Sequence, residues 1–291
     1  MASIASTVRD FKREPQRYLP DALIRDALQA AGHTYRDRLL GPVVTVQLMI
    51  LQVLLGNVAG RSLLRRANLM VSDTAYFNAR SRLPIDVLGR LLLETLNRSR
   101  SCCLDAATWN GHRVFTIDGS GVSMPDTPAL RQAFGVPGRC AAQLGFPVMH
   151  TLWLFDFASG LLVDFVAGRG STHDLADAHR LHTMLEPGDL LLGDRAFGSY
   201  AHIALLLREN LHGVFRAHQR LLIDFTPGRK PRRQRPKRQR RGVTYSTHLV
   251  KFGRHDQLVQ WPKPPRRSCP AWMTLEDYEQ LPETIEMREL R

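Results

Sequence analysis

The chain has 291 residues, 44% of them hydrophobic and 23% charged, enough to bury the core of one or two globular domains. Lys and Arg outnumber Asp and Glu by 40 to 27, and the formal net charge of +13 suits a polyanionic partner, nucleic acid foremost, with a merely basic protein as the alternative. Cys102, Cys103, Cys140 and Cys269 form no CxxC pair, and no apolar leader opens the chain. A zinc array, a disulfide framework and a secretory signal are therefore not expected, and reduced thiols in the cytosol are.

Residues 1 to about 108 read as an all-helical N-terminal domain, a candidate for binding DNA. Apolar residues recur at helical spacing over 20–31, 43–58 and 84–97, with Pro84 at the first turn of the last. The run from Val43 to Leu55 is the most apolar. Thr45, Gln47 and Gln52 interrupt it, and it is too short to span a bilayer, so no membrane partner is expected. Residues 62–83 read as two short helices broken near Val71–Asp73, with Ser72 or Asp73 as N-cap. Flanked by Arg61, Arg65, Arg66, Arg80 and Arg82, they fit a helix-turn-helix DNA reader or a plain helical hairpin with solvated arginines.

From residue 112 the pattern changes to β-branched and aromatic runs. HRVFTIDGS reads as a strand ending at Asp118, and 148–157 with 161–168 as a hairpin turning at Ala158-Ser159-Gly160. A polar helix over 173–185, a buried strand DLLLGD, a helix over 199–210 and a strand over 212–217 follow. This order predicts an α/β fold with a mixed sheet over 109–218, and it also suits a ribonuclease-H-like core. Residues 219–291 form a third segment. Its run 229–241 holds nine basic residues among thirteen, with two prolines, and reads as an extended solvated loop. Strands are predicted at 243–252 and 256–261, and PETIEMRELR approaches another.

Asp118 and Asp194 stand out because each closes an apolar strand, where a sheet can present a carboxylate to a cleft. Hard divalent cations take oxygen ligands, and two of them about 3.5–4 Å apart can activate a nucleophile and stabilise a leaving 3′ oxygen. Each aspartate taken singly is as well explained as a turn former.

The stretches 72–84, 114–135, 145–168, 188–210, 214–218 and 281–291 together resemble the insertion-sequence-four family of DDE transposases. The resemblance implies a ribonuclease-H-like core with Asp118 and Asp194 as the first two catalytic, metal-binding acids. It implies Mg²⁺ or Mn²⁺ as cofactor, two ions in the complete enzyme, and double-stranded DNA as partner, both transposon ends and target. It also implies a homodimer on paired ends and a cytoplasmic, nucleoid-associated location. The family's third acid is a Glu in a Tyr-x2-Arg-x3-Glu-x6-Lys helix beyond a β-rich insertion, and none of the six tyrosines opens that spacing. No residue is assigned to it. The expectation is a C-terminally truncated transposase with an incomplete insertion, inactive alone. A DNA-binding module that inhibits the full-length enzyme is the alternative.

Arg195 and Arg216 are candidate phosphate contacts near the cleft. Arg229, Lys230, Arg232, Arg233, Arg235, Lys237, Arg238, Arg240 and Arg241 are candidate DNA-backbone contacts, with an unbound loop as the alternative. His173, His179 and His182 on one predicted helix suit a solvated polar face better than a metal pair. Asp174 beside them fits an N-cap or a place near the site. Ser120 lacks a Gly-x-Ser-x-Gly elbow and is not expected to act as a nucleophile.

Overall fold

A computed structural model describes residues 14, 19–36, 38–103, 108–136, 145–170, 174–218, 221, 223–229 and 246–291. The chain divides into two compact units, Met1–Ala107 with Ala158–Leu161, and Thr108–Phe157 with Leu162–Arg291.

The first unit is helical. Helices α1 (Asp21–Ala30), α2 (Pro42–Leu54) and α5 (Ile85–Cys103) share a core of Leu23, Ile24, Leu28, Val46, Val87 and Leu91. Helices α3 (Gly60–Arg66) and α4 (Asp73–Ser81) add a second core with α2, built on Leu48, Leu63, Leu64 and Tyr76. The stripe Leu23, Ile24, Ala27, Leu28 is the i, i+1, i+4, i+5 pattern of a helix with one buried face. The break predicted between the two short helices is present. α3 ends on Asn68 in the left-handed region (φ 55°), a conformation Asn tolerates, and Ser72 Oγ caps α4 by accepting the Ala75 N–H at 3.1 Å. Tyr76 is fully buried, and its hydroxyl donates to Gln52 Oε1 at 2.9 Å, so the polar end of a core ring is satisfied.

The second unit is built on a mixed sheet whose strands lie in the order Leu162–Arg169, Val148–Asp156, His112–Ser123, Leu190–Gly193, His212–Phe215, with β1 (Thr108–Trp109) paired to His112–Ser123. Strands β2 (His112–Ser123), β3 (Val148–Asp156) and β4 (Leu162–Arg169) form an antiparallel meander, while β5 (Leu190–Gly193) and β6 (His212–Phe215) run parallel to β2. This is the ribonuclease-H-like arrangement. One face of the sheet carries Phe115, Ile117, Leu152, Leu154 and Leu191, all buried. The crossover after β4 supplies the buried Leu181, and helix α8 (Tyr200–Arg208) packs Ala201, Ala204 and Leu205 against Tyr278, Leu281 and Ile285 of the C-terminal segment. A second sheet, β7 (Thr247–Gly253), β8 (Asp256–Pro262) and β9 (Thr284–Leu290), is an antiparallel meander in the C-terminal segment.

Several elements differ from expectation. The helix predicted over 173–185 is a short α7 (Asp174–Ala178) followed by a 3₁₀ turn, His179–Met184. The 3₁₀ turn points Leu181 and His182 inward, and Pro187-Gly188 stops any continuation. Two capped helices were not predicted. These are α6 (Pro128–Phe134), with Thr127 as N-cap, and α9 (Leu275–Gln280), with Thr274 as N-cap. Among the described residues no helix is long and apolar enough to cross a membrane.

Ser72→Ala removes the α4 cap and is expected to lower stability by about 1 kcal/mol, while Ser72→Gly costs only a few tenths. Urea unfolding of the two variants at equal m-value checks the difference.

Candidate active site

Strand β2 does not end at Asp118, as the sequence suggested. It continues to Ser123, because residues 119–123 pair antiparallel with 148–152 of β3. What ends near Asp118 is the parallel neighbour. The β2–β5 ladder runs from Val114↔Leu190 to Ile117↔Gly193 and stops. Asp118 and Asp194 are the next residues on the two strands. Adjacent strands lie about 4.8 Å apart, so the two carboxylate-bearing positions are side by side where the sheet opens. Both aspartates are exposed.

The same register fixes their neighbours. β5 pairs β6 through Gly193↔Phe215, so Arg216 follows on the far side of Asp194. On the other side Asp118 faces Trp153, and Trp153 faces Phe165. Directly paired residues share a face, so Asp118, Trp153 and Phe165 form one row across one face of the sheet, while Asp194 and Arg216 each follow the last paired residue of the next two strands. Trp153 and Phe165 stack with ring centroids 5.1 Å apart, and Phe165 is 41% exposed. An aromatic shelf therefore flanks Asp118.

Each acid is oriented by its own backbone. Asp118 Oδ1 accepts the Gly119 N–H at 2.9 Å, and Asp194 Oδ1 accepts the Ala196 N–H at 2.6 Å in the turn Asp194–Phe197. A cavity of about 380 Å³ opens beside Asp194, lined by Arg195, Ala196, Gly198, Ser199 and His218.

Behind Asp118 lies a contact that the sequence did not reveal. A Cβ built on Gly119 would fall 2.2 Å from Asp174 Oδ1 and 2.5 Å from Asp174 Cγ. The Asp174 carboxylate thus fills the space where a side chain at 119 would stand. His150 Nε2 is hydrogen-bonded to the same oxygen, and His150 is only 12% exposed. Because Gly121 pairs with His150, this His–Asp pair sits on the face of β2 opposite the side chain of Asp118. Only the absence of a Cβ at 119 lets it approach. His150 carries no sequence signal, since a single histidine in an apolar strand reads as ordinary.

The remaining predicted positions divide as follows. Arg195 lies in the cavity wall and Arg216 follows the last paired residue of β6. Arg229 is committed to the fold. Its guanidinium donates to Asp224 O at 2.7 Å and to the main-chain and hydroxyl oxygens of Ser246 at 2.5 and 2.8 Å. Lys230, Arg232, Arg233, Arg235, Lys237, Arg238, Arg240, Arg241 and His173 lie outside the described residues. His179 is exposed and stacks on Trp272, whereas His182 is buried against His202, so the two do not converge as a metal pair. Three of the C-terminal glutamates are engaged elsewhere. Glu279 pairs with Arg266 and Glu283 with Lys263, while Glu289 accepts from Gln257 and Trp261.

The strand order and mixed directions are those of a ribonuclease-H-like fold, with Asp118 and Asp194 each one residue past the limit of the β2–β5 ladder. Residues 109–288 match the family described as the transposase DDE domain, and the chain belongs to that family, whose members are enzymes acting on DNA. A relative described as "Putative transposase InsZ" from Escherichia coli (strain K12) is 25% identical over 240 residues, covering 74% of this chain and 77% of the relative. Two solved structures also align over 62% of this chain. A "Mos1 transposase paired-end complex with left transposon end" is 14% identical with a TM-score of 0.25, and a "pre-cleavage Mos1 transpososome" is 12% identical with a TM-score of 0.22. The chain spans 60% of the length of those solved chains.

Gly119→Ala is expected to destabilise the protein by about 1–3 kcal/mol, the usual cost of forcing a methyl group into filled space. In the double variant Gly119→Ala/Asp174→Ala much of that loss returns, because the obstructing carboxylate is gone. A double-mutant cycle by denaturant unfolding measures the coupling. A value near zero would show that Asp174 does not occupy the notch.

Proposed function

We propose that this chain is a transposase core of the insertion-sequence-four type, which cuts DNA at the ends of a mobile element and joins them to a target. Asp118 and Asp194 would hold Mg²⁺ or Mn²⁺ for this reaction. The observation that supports the proposal is the β2–β5 register, which leaves two exposed carboxylates side by side at the limit of a parallel ladder.

The donor set suits a hard cation. Each acid has one oxygen on a local N–H, and hard divalent cations take carboxylate, water and phosphate oxygens. Among the described residues no group of three or more His, Cys, Asp or Glu could hold a metal, so the shell is completed by groups outside that set. A bound divalent cation supplies Lewis acidity to phosphoryl transfer.

The chain's own groups do the rest. Arg195 and Arg216 set positive charge against the substrate phosphates. The Trp153–Phe165 shelf offers a flat face for a base displaced from its stack. Water attacks the phosphodiester at the element's end and breaks the bond to the 3′ oxygen. The freed 3′-OH then attacks a target phosphodiester and displaces its 3′ oxygen in turn. Lys230, Arg232, Arg233, Arg235, Lys237, Arg238, Arg240 and Arg241 neutralise the backbone of double-stranded DNA largely without regard to sequence. Two copies act on paired ends, in the nucleoid.

Asp118→Asn and Asp194→Asn are each expected to weaken Mn²⁺ binding at least tenfold, about 1.4 kcal/mol, in calorimetric titration. DNA affinity measured in EDTA is expected to stay the same. Unchanged Mn²⁺ affinity in both variants sinks the proposal, and DNA binding with no metal binding in the wild type favours a binding module instead. Arg232→Ala with Arg233→Ala is expected to lower the slope of log K against log salt by about 2, with affinity falling alike on all sequences.

A further inference from the structure

The buried face of the second unit holds a chain of polar groups that the proposed reaction does not use. Glu209 Oε2 lies 2.9 Å from His182 Nδ1, His182 Nε2 lies 3.0 Å from His202 Nε2, and His202 Nδ1 lies 2.8 Å from the carbonyl oxygen of Phe197. His182 and His202 are buried, with His202 fully enclosed, while the Glu209 side chain is 39% exposed.

Counting protons along this chain gives a definite result. A carbonyl only accepts, so His202 Nδ1 carries a hydrogen. A neutral imidazole has one N–H, so His202 Nε2 accepts and His182 Nε2 donates. His182 Nδ1 is then bare, and it faces a carboxylate oxygen at hydrogen-bond distance. Two lone pairs repel at that separation. Three hydrogen bonds need three protons, and two neutral imidazoles supply two. The third is shared between Glu209 and His182, as a carboxylic acid donating to Nδ1 or as an imidazolium–carboxylate pair. Burial favours the first form. Desolvation raises Glu209 above its usual range and pushes His182 down to about 4 and His202 to about 3. The charged groups facing the chain are His179 on the 3₁₀ turn and Arg208 at the end of α8.

The far end of the chain is attached to the acidic site. Phe197 is fully buried, and its ring packs against Gly193, where a Cβ would fall 2.9 Å from Phe197 Cδ2. The Phe197 N–H donates to Asp194 O at 3.3 Å, and the Ala196 N–H donates to Asp194 Oδ1. The turn that orients Asp194 is therefore held at its last residue by His202, and His202 by His182 and Glu209.

We propose that Glu209, His182 and His202 form a proton-holding chain that positions Asp194, so that the turn Asp194–Phe197 is fully ordered only while the shared proton is retained. This assignment of a role to the chain rests on the reading of Asp194 as a metal ligand, but the ordering of the turn does not. Below the unfolded-state value of Glu209 the chain contributes its full stability. That stability falls by about a factor of ten in the equilibrium per pH unit between that value and the elevated folded one, and is gone above the folded value. Glu209→Gln supplies a permanent N–H donor to His182 Nδ1 and mimics the protonated form.

The test is amide hydrogen exchange at Ala196 and Phe197 across about pH 5 to 9, corrected for intrinsic rates, in wild type, Glu209→Gln and Glu209→Leu. Wild-type protection is expected to fall at least tenfold toward alkaline pH, Glu209→Gln to stay protected, and Glu209→Leu to be unprotected throughout. Equal pH dependence in wild type and Glu209→Gln, or weaker protection in Glu209→Gln at every pH, overturns the shared proton. Mn²⁺ affinity measured in parallel is expected to follow protection. If protection behaves as expected while Mn²⁺ does not bind even at the acid end, the metal reading fails and the proton chain stands.

Discussion

Parallel pairing of β2 with β5 is the constraint on which the site depends. The ladder is short, four residues a side, and it is held by the apolar runs VFTI and LLLG. Phe115, Ile117 and Leu191 are buried on one face, so a slip of one residue would turn them to solvent and drive Asp118 or Asp194 beneath the covering helices. An ionised carboxylate forced into that interior without a partner costs far more than an exposed one. The hydrophobic alternation that specifies the strand therefore also specifies that the two acids emerge together on the open face. Their mutual repulsion is tolerable there. Two unit charges roughly 5 Å apart repel by about 1 kcal/mol in water and about 3 kcal/mol at an effective dielectric of 20, and exposure places this pair toward the lower figure.

Much of this was legible in the sequence because period-2 alternation and Gly-rich turns are local signals. The β3–β4 hairpin with its turn at residues 158–160, the buried β5 and helix α8 all follow from residues within a few positions of one another. What was not legible depends on partners distant in sequence. β2 runs five residues past Asp118 because β3 supplies a ladder there, and nothing in GSGVS announces it. The short helices α6 and α9 had readable caps, Thr127-Pro128 and the Thr274–Asp277 box, but too few apolar positions to mark a helical period. The helix expected at 173–185 failed as a continuous element because buried His182 demands partners on α8 and at Glu209, a requirement invisible to periodicity.

The charge balance was legible as a total and misleading in detail. Arg113 spans Asp189 and Glu186, Arg131 pairs with Asp126, Arg288 with Asp256, and Arg229 donates to the carbonyl oxygens of Asp224 and Ser246. These guanidiniums are parts of the fold. Burial of Asp189 against Arg113 is a bidentate contact at the opposite end of β5 from Asp194, so one strand carries a structural ion pair at its start and an acid of the site at its end. A net charge of +13 cannot tell these uses apart, because it counts charges without counting neighbours.

Both acids of the site are flanked by a glycine, Gly119 after Asp118 and Gly193 before Asp194. Each glycine is where a group from the closed face presses on the strand. The Asp174 carboxylate, held by His150, takes the place of a Cβ at 119, and the Phe197 ring, held through its carbonyl by His202, takes the place of one at 193. A side chain at either position would keep these groups away, and the strand would be located only by its ladder. The arrangement separates two demands that conflict on one surface. Exposed acids must stay wet enough to remain ionised, and their backbone must be held as rigidly as a core. The open face meets the first demand and the closed face the second, and the two glycines are the points where the second is imposed on the first.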